Sequence, residues 1–390
     1  MSLKNSYDYI IAGAGASGLS LAWQMINSTL QDKRILVIDD DFSANNDKTW
    51  CFWHDDTPPF EKLIHKSYSK AKVIINDREV IDSIDNYPYY CIKSKNYKKH
   101  LIADLKNNSS IDFIEAQIEE FTGDEEKAIL KTSGDSYSAE YIFQSCFIPP
   151  ELKNAKIKYP LIQSFLGYEI EVQQSLFDPD TFLMMDFDES YEGGLAFMYL
   201  LPWSKNSALI EYTIFDEQIE PEEFYREKIE LYLSNKYGLK RIDYKISRVE
   251  YGEIPMQDLP YVPWYKPRVM NLGRSGGLTK PSTGYTFKRI QKHSEEIVAR
   301  LQQSGQPALP YRSKFRYRAY DLWLLHVMYN HPQKALRIFR ALFTNNKMDQ
   351  VFKFLDEKNS FIEDLKIMST LPYFPFFKAI WHCRKRLFEI

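Results

Sequence analysis

The chain has 390 residues, enough for about two domains of ordinary size. Its net charge of −3 argues against a nucleic-acid partner, and its 44% hydrophobic content is typical of a soluble globular protein. Four scattered cysteines without a C-x-x-C pair predict reduced thiols and no metal site. Charged Lys4 and Asp8 precede the first short apolar run, so we expect neither a signal peptide nor a membrane-spanning helix.

The first predicted element is an apolar strand at residues 9–12 that enters a glycine turn. The turn has the spacing G-x-G-x-x-G, and a helix with an apolar stripe follows it. In such a unit the glycines allow a tight turn, the approach of a pyrophosphate and close packing of the helix, whose N-terminus attracts phosphates. The predicted cofactor-binding residues of this loop are Gly13, Ala14, Gly15, Ala16, Ser17 and Gly18.

A second apolar strand, residues 35–38, ends at Asp39, where a ribose-binding carboxylate is expected. Strand, helix, second strand and acid together favour a dinucleotide site over an ordinary glycine turn in an α/β unit. The stretch 47–53 then becomes densely aromatic. It has two interpretations, a buried aromatic plug or a wall of the cofactor or substrate site.

The remaining elements before residue 260 fall into two groups. Strands at 71–75, 79–81, 112–114, 117–131 and 141–145 and a helix at 94–105 are predicted to complete a first lobe. From about residue 160 the pattern changes to half-buried strands at 167–172, 196–201 and 208–215, with one helix after Pro221. This second group predicts a mixed or antiparallel sheet inserted into the first lobe.

The nucleotide-binding lobe is then expected to return. A strand at 268–272 enters a second glycine-rich loop, 273–285, which leads into a helix at about 286–303. Large flavoproteins use such a loop to bring backbone N–H groups and the positive end of a helix to the flavin. The second loop therefore favours FAD over NAD. Its predicted cofactor-binding residues are Gly273, Arg274, Thr283, Gly284 and Tyr285.

The rest of the chain predicts helices at 319–328, 333–343, 348–355 and 361–368. An apolar segment broken by proline, residues 371–377, precedes Lys378, Arg384, Lys385 and Arg386. This segment has two interpretations, an aromatic face on a membrane surface or a terminal segment docked into the core.

The predicted fold class is α/β: a Rossmann-like FAD-binding domain of the glutathione-reductase and hydroxybenzoate-hydroxylase type, with an inserted β-sheet substrate domain and C-terminal helices. The predicted divisions are 1–158 for the first part of the FAD-binding lobe, 159–250 for the substrate-binding sheet, 251–305 for the returning part and 306–390 for the helical region.

Several stretches along nearly the whole chain resemble the flavoprotein lycopene cyclases, most closely their bacterial β-cyclase branch. The glycine motif at 13–18 is shared with many flavoproteins, whereas Leu-Ile-Glu-x-Thr at 209–213 and Pro-Ser-Thr-Gly-Tyr at 281–285 are more specific. The other matching pieces are residues 47–53, 161–169, 185–187, 197–202, 252–255, 339–343 and 352–355.

The resemblance implies a lycopene β-cyclase, an FAD-dependent lyase or isomerase. Such an enzyme closes the ψ-ends of lycopene into β-ionone rings by acid catalysis, without net electron transfer, and makes β-carotene. The resemblance implies reduced FAD as the cofactor, with NAD(P)H serving only to reduce it. It also implies lycopene or a related acyclic carotenoid as the substrate, and a cytoplasmic protein peripherally associated with a membrane, since the substrate partitions into lipid.

Glu211 matches the essential glutamate of the family. A glutamate on an alternating strand is more often solvated, but the match to the family motif reverses that expectation and implies a proton donor. The apolar neighbours at 208–210 support this interpretation, because a desolvated carboxyl has a raised pKa and stays protonated. The family commonly has a second acid at the next position, where this chain has Tyr212. Tyr212 itself, Asp186 and Glu169 are the candidates to assist. Tyr212 offers either a hydrogen bond or an aromatic ring that faces the carbocation formed when the alkene is protonated.

Arg274 stands where many flavoenzymes carry an aspartate, and a cation there suits an anionic reduced flavin. Two other functions stay open. One is a redox flavoenzyme such as a monooxygenase, halogenase or prenyl reductase, although the tryptophans at 50 and 53 do not have the Trp-x-Trp spacing of flavin halogenases. The other is a non-catalytic flavin-bearing protein that binds carotenoids.

Overall fold

A computed structural model describes residues 5–43 and 48–390, so Lys4 and Asp47 lie outside the described residues. In chain order the strands are β1 (Ser6–Ala12), β2 (Ile35–Asp39), β3 (Thr49–Trp53), β4 (Ile64–Tyr68), β5 (Lys70–Ile75), β6 (Arg78–Ser83), β7 (Tyr89–Lys93), β8 (Ile111–Glu115), β9 (Ile118–Gly123), β10 (Ala128–Thr132), β11 (Ser136–Gln144), β12 (Leu161–Val172), β13 (Thr181–Phe187), β14 (Leu195–Pro202), β15 (Ser207–Asp216), β16 (Tyr244–Met256), β17 (Trp264–Lys266) and β18 (Val269–Asn271).

The helices are α1 (Ala16–Ile26), α2 (Ser94–Lys106), α3 (Pro150–Lys153), α4 (Glu222–Tyr237), α5 (Phe287–Ser304), α6 (Phe315–Asn330), α7 (Pro332–Asn345), α8 (Met348–Leu355), α9 (Phe361–Ser369) and α10 (Phe374–Cys383).

The first sheet holds the nucleotide-binding topology. Its strand order is β17-β18-β11-β1-β2-β8, with the hairpin β9–β10 attached to β11. Strand β1 is parallel to both β11 and β2, and β18 returns from far along the chain to pair in parallel with β11. Apolar side chains of α1, α2 and α5 pack against this sheet, including Met25, Leu101 and Ile297. The predicted fold class, with a largely parallel first sheet that a late strand rejoins, is thus confirmed.

The second sheet has the order β16-β12-β15-β14-β13-β5-β6. Its ladders are antiparallel except for the parallel pair β13–β5. The mixed sheet predicted after residue 160 is therefore present. However, β5 and β6 join it from within 1–158, and β16 crosses residue 250. Alternation identified these segments as strands but carried no information on their pairing partners, and the four-part division stays a prediction.

The two faces of the second sheet have different neighbours. On β15, Ile210 and Tyr212 belong to a core shared with Tyr225, Ile229 and Leu233 of α4. Successive strand residues point to opposite faces, so Leu209, Glu211, Thr213 and Phe215 point the other way. There Leu209 and Phe215 belong to the core that also holds residues of α6, α7 and α8 and of the small sheet β3-β7-β4. The predicted active-site glutamate therefore lies on the inner face.

The C-terminal helices agree with the predicted ones, and α10 begins inside the apolar segment 371–377 with Pro375 in its first turn. Within residues 5–43 and 48–390, no helix combines the length and the apolar character needed to cross a membrane.

Candidate active site

The two glycine-rich loops meet in space. Gly273 has a φ of +56°, and a Cβ at this position would collide with the Oγ of Ser17 in the first loop. The helices that follow the loops, α1 and α5, have no side-chain cap at their N-termini among the described residues. Ala16 and Ser17 at the start of α1, and Thr286 and Phe287 at the start of α5, line one cavity. Both helices thus offer uncapped N–H groups beside it.

The three glycines of the first motif differ in what surrounds them. Gly13 has a φ of +104°, and a Cβ on Gly18 would collide with the carbonyl oxygen of Gly13. The backbone conformation at Gly13 and the close contact at Gly18 therefore account for glycine at these two positions without any ligand. At Gly15, by contrast, nothing lies within 4 Å of where a Cβ would be. The open space at Gly15 is what the approach of a pyrophosphate requires.

Asp39 ends β2 beside the first loop, as predicted. Its carboxylate accepts a hydrogen bond from the backbone N–H of Ala14 and a second, of 3.3 Å, from that of Asp41. Burial raises the pKa of Asp39. The contact with Ala14 ties the predicted ribose-binding acid directly to the predicted pyrophosphate loop.

A cavity of about 430 Å³ connects both loops to the inner face of the second sheet. The first loop contributes Gly15 to Ser17, and the second contributes Arg274 and residues 282–286. The other side is mainly apolar or aromatic. Its lining residues include Trp50, Tyr89, Phe165, Met184, Met185, Phe197, Tyr199, Phe215, Phe287 and Phe339.

Glu211 lies at this cavity with only 8% of its surface exposed. Among the described residues that line the cavity it is the only carboxyl. Burial raises the pKa of Glu211 well above its usual value, and the neighbouring Glu250 carboxylate raises it further. These surroundings favour the neutral, protonated form of Glu211 in a largely apolar cavity.

Tyr212 and Asp186, predicted as catalytic, are not brought to the cavity. Tyr212 points to the opposite face of the sheet, where its hydroxyl donates a 2.7 Å hydrogen bond to Asp188. Asp186 accepts a 2.9 Å hydrogen bond from Tyr232 of α4. Since adjacent residues of a strand point to opposite faces, Glu211 and Tyr212 cannot share one pocket. The geometry does not support their predicted roles.

Glu169, the third candidate to assist, lies on the inner face but is held by cations. It accepts hydrogen bonds of 2.8 Å from both Lys93 and Arg248. These contacts outweigh its partial burial and leave the pKa of Glu169 below its usual value. Glu169 is thus part of an ion-pair network and does not line the cavity.

Three tyrosines, one buried and two partly buried, form a hydroxyl cluster on the cavity wall. Tyr89 shares a 2.9 Å hydrogen bond with Tyr199 and one of 3.3 Å with Tyr285, the last residue of the second loop. Tyr199 lies directly opposite Glu211 in the β14–β15 ladder. Burial raises the pKa of Tyr89 and Tyr199 well above the usual value, so their hydroxyls stay neutral.

The aromatic stretch on β3 serves both predicted purposes. Trp50 and Cys51 line the cavity, as does Thr49. Phe52 and Trp53 are buried in the two adjoining cores, where Trp53 stacks on Phe352 at 4.5 Å. The described part of the stretch is therefore both a site wall and a core plug.

The residues at the loops fit a flavin dinucleotide. Besides the open space at Gly15, two buried polar atoms on the cavity wall, Oε1 of Gln163 and Oγ1 of Thr283, have no hydrogen-bond partner among the described residues. Buried polar atoms normally have partners, so unmatched ones beside a cavity indicate a polar ligand. Arg274 is exposed at the cavity and donates a 3.2 Å hydrogen bond to the carbonyl of Glu253.

Sequence reasoning missed Glu250, a buried carboxylate close to Glu211. It accepts hydrogen bonds from the backbone N–H and hydroxyl of Thr49, at 2.7 and 2.9 Å, and from Arg248 at 2.8 Å. In the sequence Glu250 stands between Val249 and Tyr251, so the alternation predicts a solvated glutamate beside buried apolar residues. In the structure Val249 is exposed and Glu250 is buried. Its only signal was its position two residues before the family-like piece 252–255.

These features define the class of the protein, a flavoprotein fold with a buried glutamate at the cavity that both glycine-rich loops line. Among solved structures, the chain is similar to a geranylgeranyl bacteriochlorophyll reductase-like protein from Thermoplasma acidophilum (TM-score 0.61, 13% identity, covering 98% of this chain and 99% of that one). It is also similar to a flavin-dependent brominase (TM-score 0.58, 12% identity, covering 98% and 100%). A halogenase solved in complex with FAD is a further match (TM-score 0.56, 12% identity, covering 96% and 85%).

Within that class, the chain belongs to the lycopene cyclase family, whose model, "Lycopene cyclase protein", matches residues 8–380. It is 25% identical over 308 residues to a chloroplastic lycopene beta cyclase from an Oncidium hybrid cultivar, covering 74% of this chain and 62% of that protein. It is 26% identical over 309 residues to a capsanthin/capsorubin synthase from Citrus sinensis, covering 73% and 58%. These matches thus span about six-tenths of the relatives' own length.

Proposed function

We propose that the protein is a lycopene β-cyclase that closes the ψ-ends of lycopene by proton transfer, with reduced FAD as a cofactor that is not consumed. One observation carries the proposal. Glu211, buried and raised in pKa, is the only carboxyl among the described residues lining a cavity to which both glycine-rich loops contribute. A neutral acid beside a flavin site is what a non-redox cyclisation needs.

The cavity wall suits a hydrocarbon substrate. Phe197, Phe215 and Phe339 lie on the same wall as Glu211, together with Met184 and Met185. An acyclic carotenoid offers only apolar and π contacts, which such side chains match. The aromatic faces also stabilise a carbocation without adding a nucleophile to it.

The proposed reaction moves two protons and no electrons. The Glu211 carboxyl donates its proton to the terminal alkene of a ψ-end, which becomes a carbocation. Attack by a neighbouring double bond closes the ring and moves the positive charge into it. Loss of one ring proton then gives the β-ionone ring. The product is an isomer of the substrate.

The carboxylate left on Glu211 is the base that the geometry favours for the second proton. Tyr212 and Asp186 lie on the far face of the sheet, and Glu169 is tied to Lys93 and Arg248. With these candidates outside the cavity, the proton acceptor with the shortest route to the ring is the group that began the reaction.

FAD would be held by the two loops that meet at Gly273 and Ser17. The N–H groups at the start of α1, beside the open space at Gly15, would bind its pyrophosphate, Asp39 its ribose, and residues 283–285 with Arg274 its flavin end. When bound and reduced, FAD supplies negative charge that stabilises the substrate cation in a water-poor pocket. We assign NAD(P)H only the role of reductant.

We propose that the substrate lies in a membrane and that the protein binds peripherally to the surface of that membrane. Tyr373, Phe374, Phe377, Ile380 and Trp381, in and just before α10, are exposed, as are Phe361, Ile362 and Leu365 on α9. We call these eight residues the aromatic patch. Lys366, Lys378, Arg384 and Lys385 lie among or beside them in the chain and are exposed as well. Exposed aromatic residues bordered by cations match the interface of an anionic membrane.

Product analysis tests the proposed function. The purified protein is incubated with lycopene in liposomes, with reduced FAD and without oxygen, and the pigments are separated by chromatography. We expect β-ring carotenoid while the flavin stays reduced. Unchanged lycopene from folded, flavin-loaded protein would favour a carotenoid-binding role. Products formed in proportion to oxidised flavin would favour a redox flavoenzyme.

A further inference from the structure

Glu211 and Glu250 lie in one row across the second sheet. Gly167 of β12 is paired with Glu211 on one side and with Glu250 on the other, so the two carboxylates flank a glycine. Strands lie about 4.8 Å apart, which puts the two glutamate Cα atoms roughly 10 Å apart on the same face. The Glu211 side chain leans over the intervening glycine, because its Oε1 would lie 3.1 Å from a Cβ at Gly167.

Glu250 is surrounded by hydrogen-bond donors and a cation. It is 2% exposed, forms an ion pair with Arg248 and accepts two hydrogen bonds from Thr49. The N–H and O–H donors of Thr49 and the guanidinium of Arg248 all direct positive charge at the carboxylate oxygens of Glu250, and such charge-assisted hydrogen bonds are strong. Glu250 therefore contributes a fixed negative charge behind the active-site acid.

Charges of both signs surround Glu211. The charged and titratable groups come from every element packed against it: Glu250 and Arg248 on β16, Cys51 on β3, Lys48 before β3, Cys91 and Tyr89 on β7, Tyr199 on β14 and Glu169 on β12, with Arg274 and Tyr285 on the same cavity. Arg248 and Lys48 favour ionised Glu211, whereas Glu250 and Cys51 oppose ionisation. Without Glu250, the positive charges of Arg248 and Lys48 would be less compensated, and they would favour the ionised form of Glu211 more strongly.

We propose that Glu250 is a positioning residue that neutralises Arg248 and Lys48 and thereby keeps Glu211 protonated for each turnover. It touches neither the substrate cavity nor the reacting atoms, and it acts only through Glu211. This inference rests on the proposed function where it is tested by enzyme activity. The spectroscopic test of the protonation of Glu211 does not depend on that function.

The first test follows protonated Glu211 directly. Infrared spectra of the flavin-loaded protein are recorded against pH, and the spectrum of Glu211→Gln is subtracted to isolate the carbonyl stretch of the Glu211 carboxylic acid. In Glu250→Gln this band is expected to disappear at a pH about one unit lower than in the wild type. In Glu171→Gln, which removes an exposed carboxylate further along β12, the band is expected to follow the wild type.

The second test uses the pH profile of cyclisation. The alkaline limb is expected to move to lower pH in Glu250→Gln and to stay in place in Glu250→Asp, which keeps the charge. Lys48→Met, which removes an opposing cation, is expected to move the limb to higher pH, and it serves as the test should Glu250→Gln fail to fold. A merely structural role would lower the rate without moving the limb.

The two readouts separate the two claims. A shifted infrared band in a protein that does not cyclise lycopene would support the role of Glu250 and overturn the proposed function. Cyclisation with an unshifted band and an unshifted limb in Glu250→Gln would overturn the role of Glu250 and leave the function standing.

Discussion

The Glu211 side chain packs directly against the Cα of Gly167 on the neighbouring strand. A Cβ at Gly167 would lie 2.5 Å from Cγ of Glu211 and 3.2 Å from Cδ1 of Leu209. A side chain at this position would therefore push the acid away from its place between Tyr199 and Glu250. The lack of a side chain at Gly167 therefore determines the position of the Glu211 carboxyl, the proposed proton donor.

Gly167→Ala is accordingly expected to reduce cyclisation at least tenfold while FAD stays bound. Overpacking at a buried position costs about 1–3 kcal/mol, so the variant should still fold. The measurements are the initial rate of β-ring formation, the flavin content and the thermal midpoint. Gly134→Ala is the control, because nothing lies within 4 Å of where its Cβ would be. Wild-type activity in Gly167→Ala would contradict the assigned position of Glu211.

The first glycine motif predicts two different failures. In Gly15→Ala the new methyl group enters open space, so the apoprotein should keep its thermal midpoint, while FAD affinity should fall at least tenfold as the pyrophosphate loses room. In Gly18→Ala the methyl group meets the Gly13 carbonyl, so folding itself should suffer. Flavin titration and thermal unfolding of the apoproteins distinguish these outcomes. Undiminished FAD binding by Gly15→Ala would place the cofactor elsewhere.

The raised pKa of Glu211 also predicts a pH-dependent stability. The unfolded chain has the ordinary value of 4.5, whereas burial raises the pKa in the folded protein. Above pH 4.5 the unfolded state releases this proton first, so the contribution of Glu211 to stability declines with rising pH, by at most about 1.4 kcal/mol per pH unit, until the folded pKa is passed.

Glu211→Gln does not titrate, so it should gain thermal stability relative to the wild type as the pH rises above 4.5. Thermal unfolding of both proteins across pH 4 to 9 measures the difference. Glu119→Gln, at an exposed position, should show no such trend. A constant difference between Glu211→Gln and the wild type at all pH values would mean that Glu211 is ionised in the folded protein.

The glycine motifs allowed the fold to be predicted from sequence, and the resemblance of residues 209–213 to the family motif singled out Glu211. The alternation of β15 alone favoured a solvated glutamate. A glycine loop followed by an apolar stripe is a local signal, and both loops fold as expected. Strand pairing is not local. Nothing in the alternation at 70–83 indicates that β5 pairs with β13 rather than with the first sheet.

The same limitation affected the second catalytic group. Tyr212 was chosen because it follows Glu211 in the chain, and Asp186 because it lies in a piece that resembles the family. In the structure, the alternation of β15 puts Tyr212 on the other face of the sheet, and Asp186 is hydrogen-bonded to Tyr232 of α4. Glu250 was missed because it reaches the site through pairing with Gly167, and that register depends on the whole sheet.

The aromatic patch predicts binding to anionic membranes. Replacing Phe374, Phe377 and Trp381 together by serine should lower sedimentation with anionic vesicles at least tenfold, which corresponds to about 1.4 kcal/mol. The matched control replaces Ile148, Ile242 and Leu309, exposed apolar residues outside the patch, and should bind as the wild type does. Equal vesicle binding by both triple variants would show that the patch does not contact the membrane.

Solvent deuterium tests the central claim most directly. In heavy water the exchangeable proton of Glu211 becomes a deuteron, and that deuteron should be transferred to the terminal alkene of lycopene. Because Glu211 regains a substrate proton at the end of each turnover, the protein is equilibrated in heavy water and used in excess over lycopene, so that only first turnovers are observed. We therefore expect mass spectrometry to find one deuterium in the first ring that each wild-type molecule forms, with the flavin still reduced, and no cyclic product from flavin-loaded Glu211→Gln. Rings without solvent deuterium, or rings formed at the wild-type rate by Glu211→Gln, would contradict the assignment of Glu211 as the proton donor.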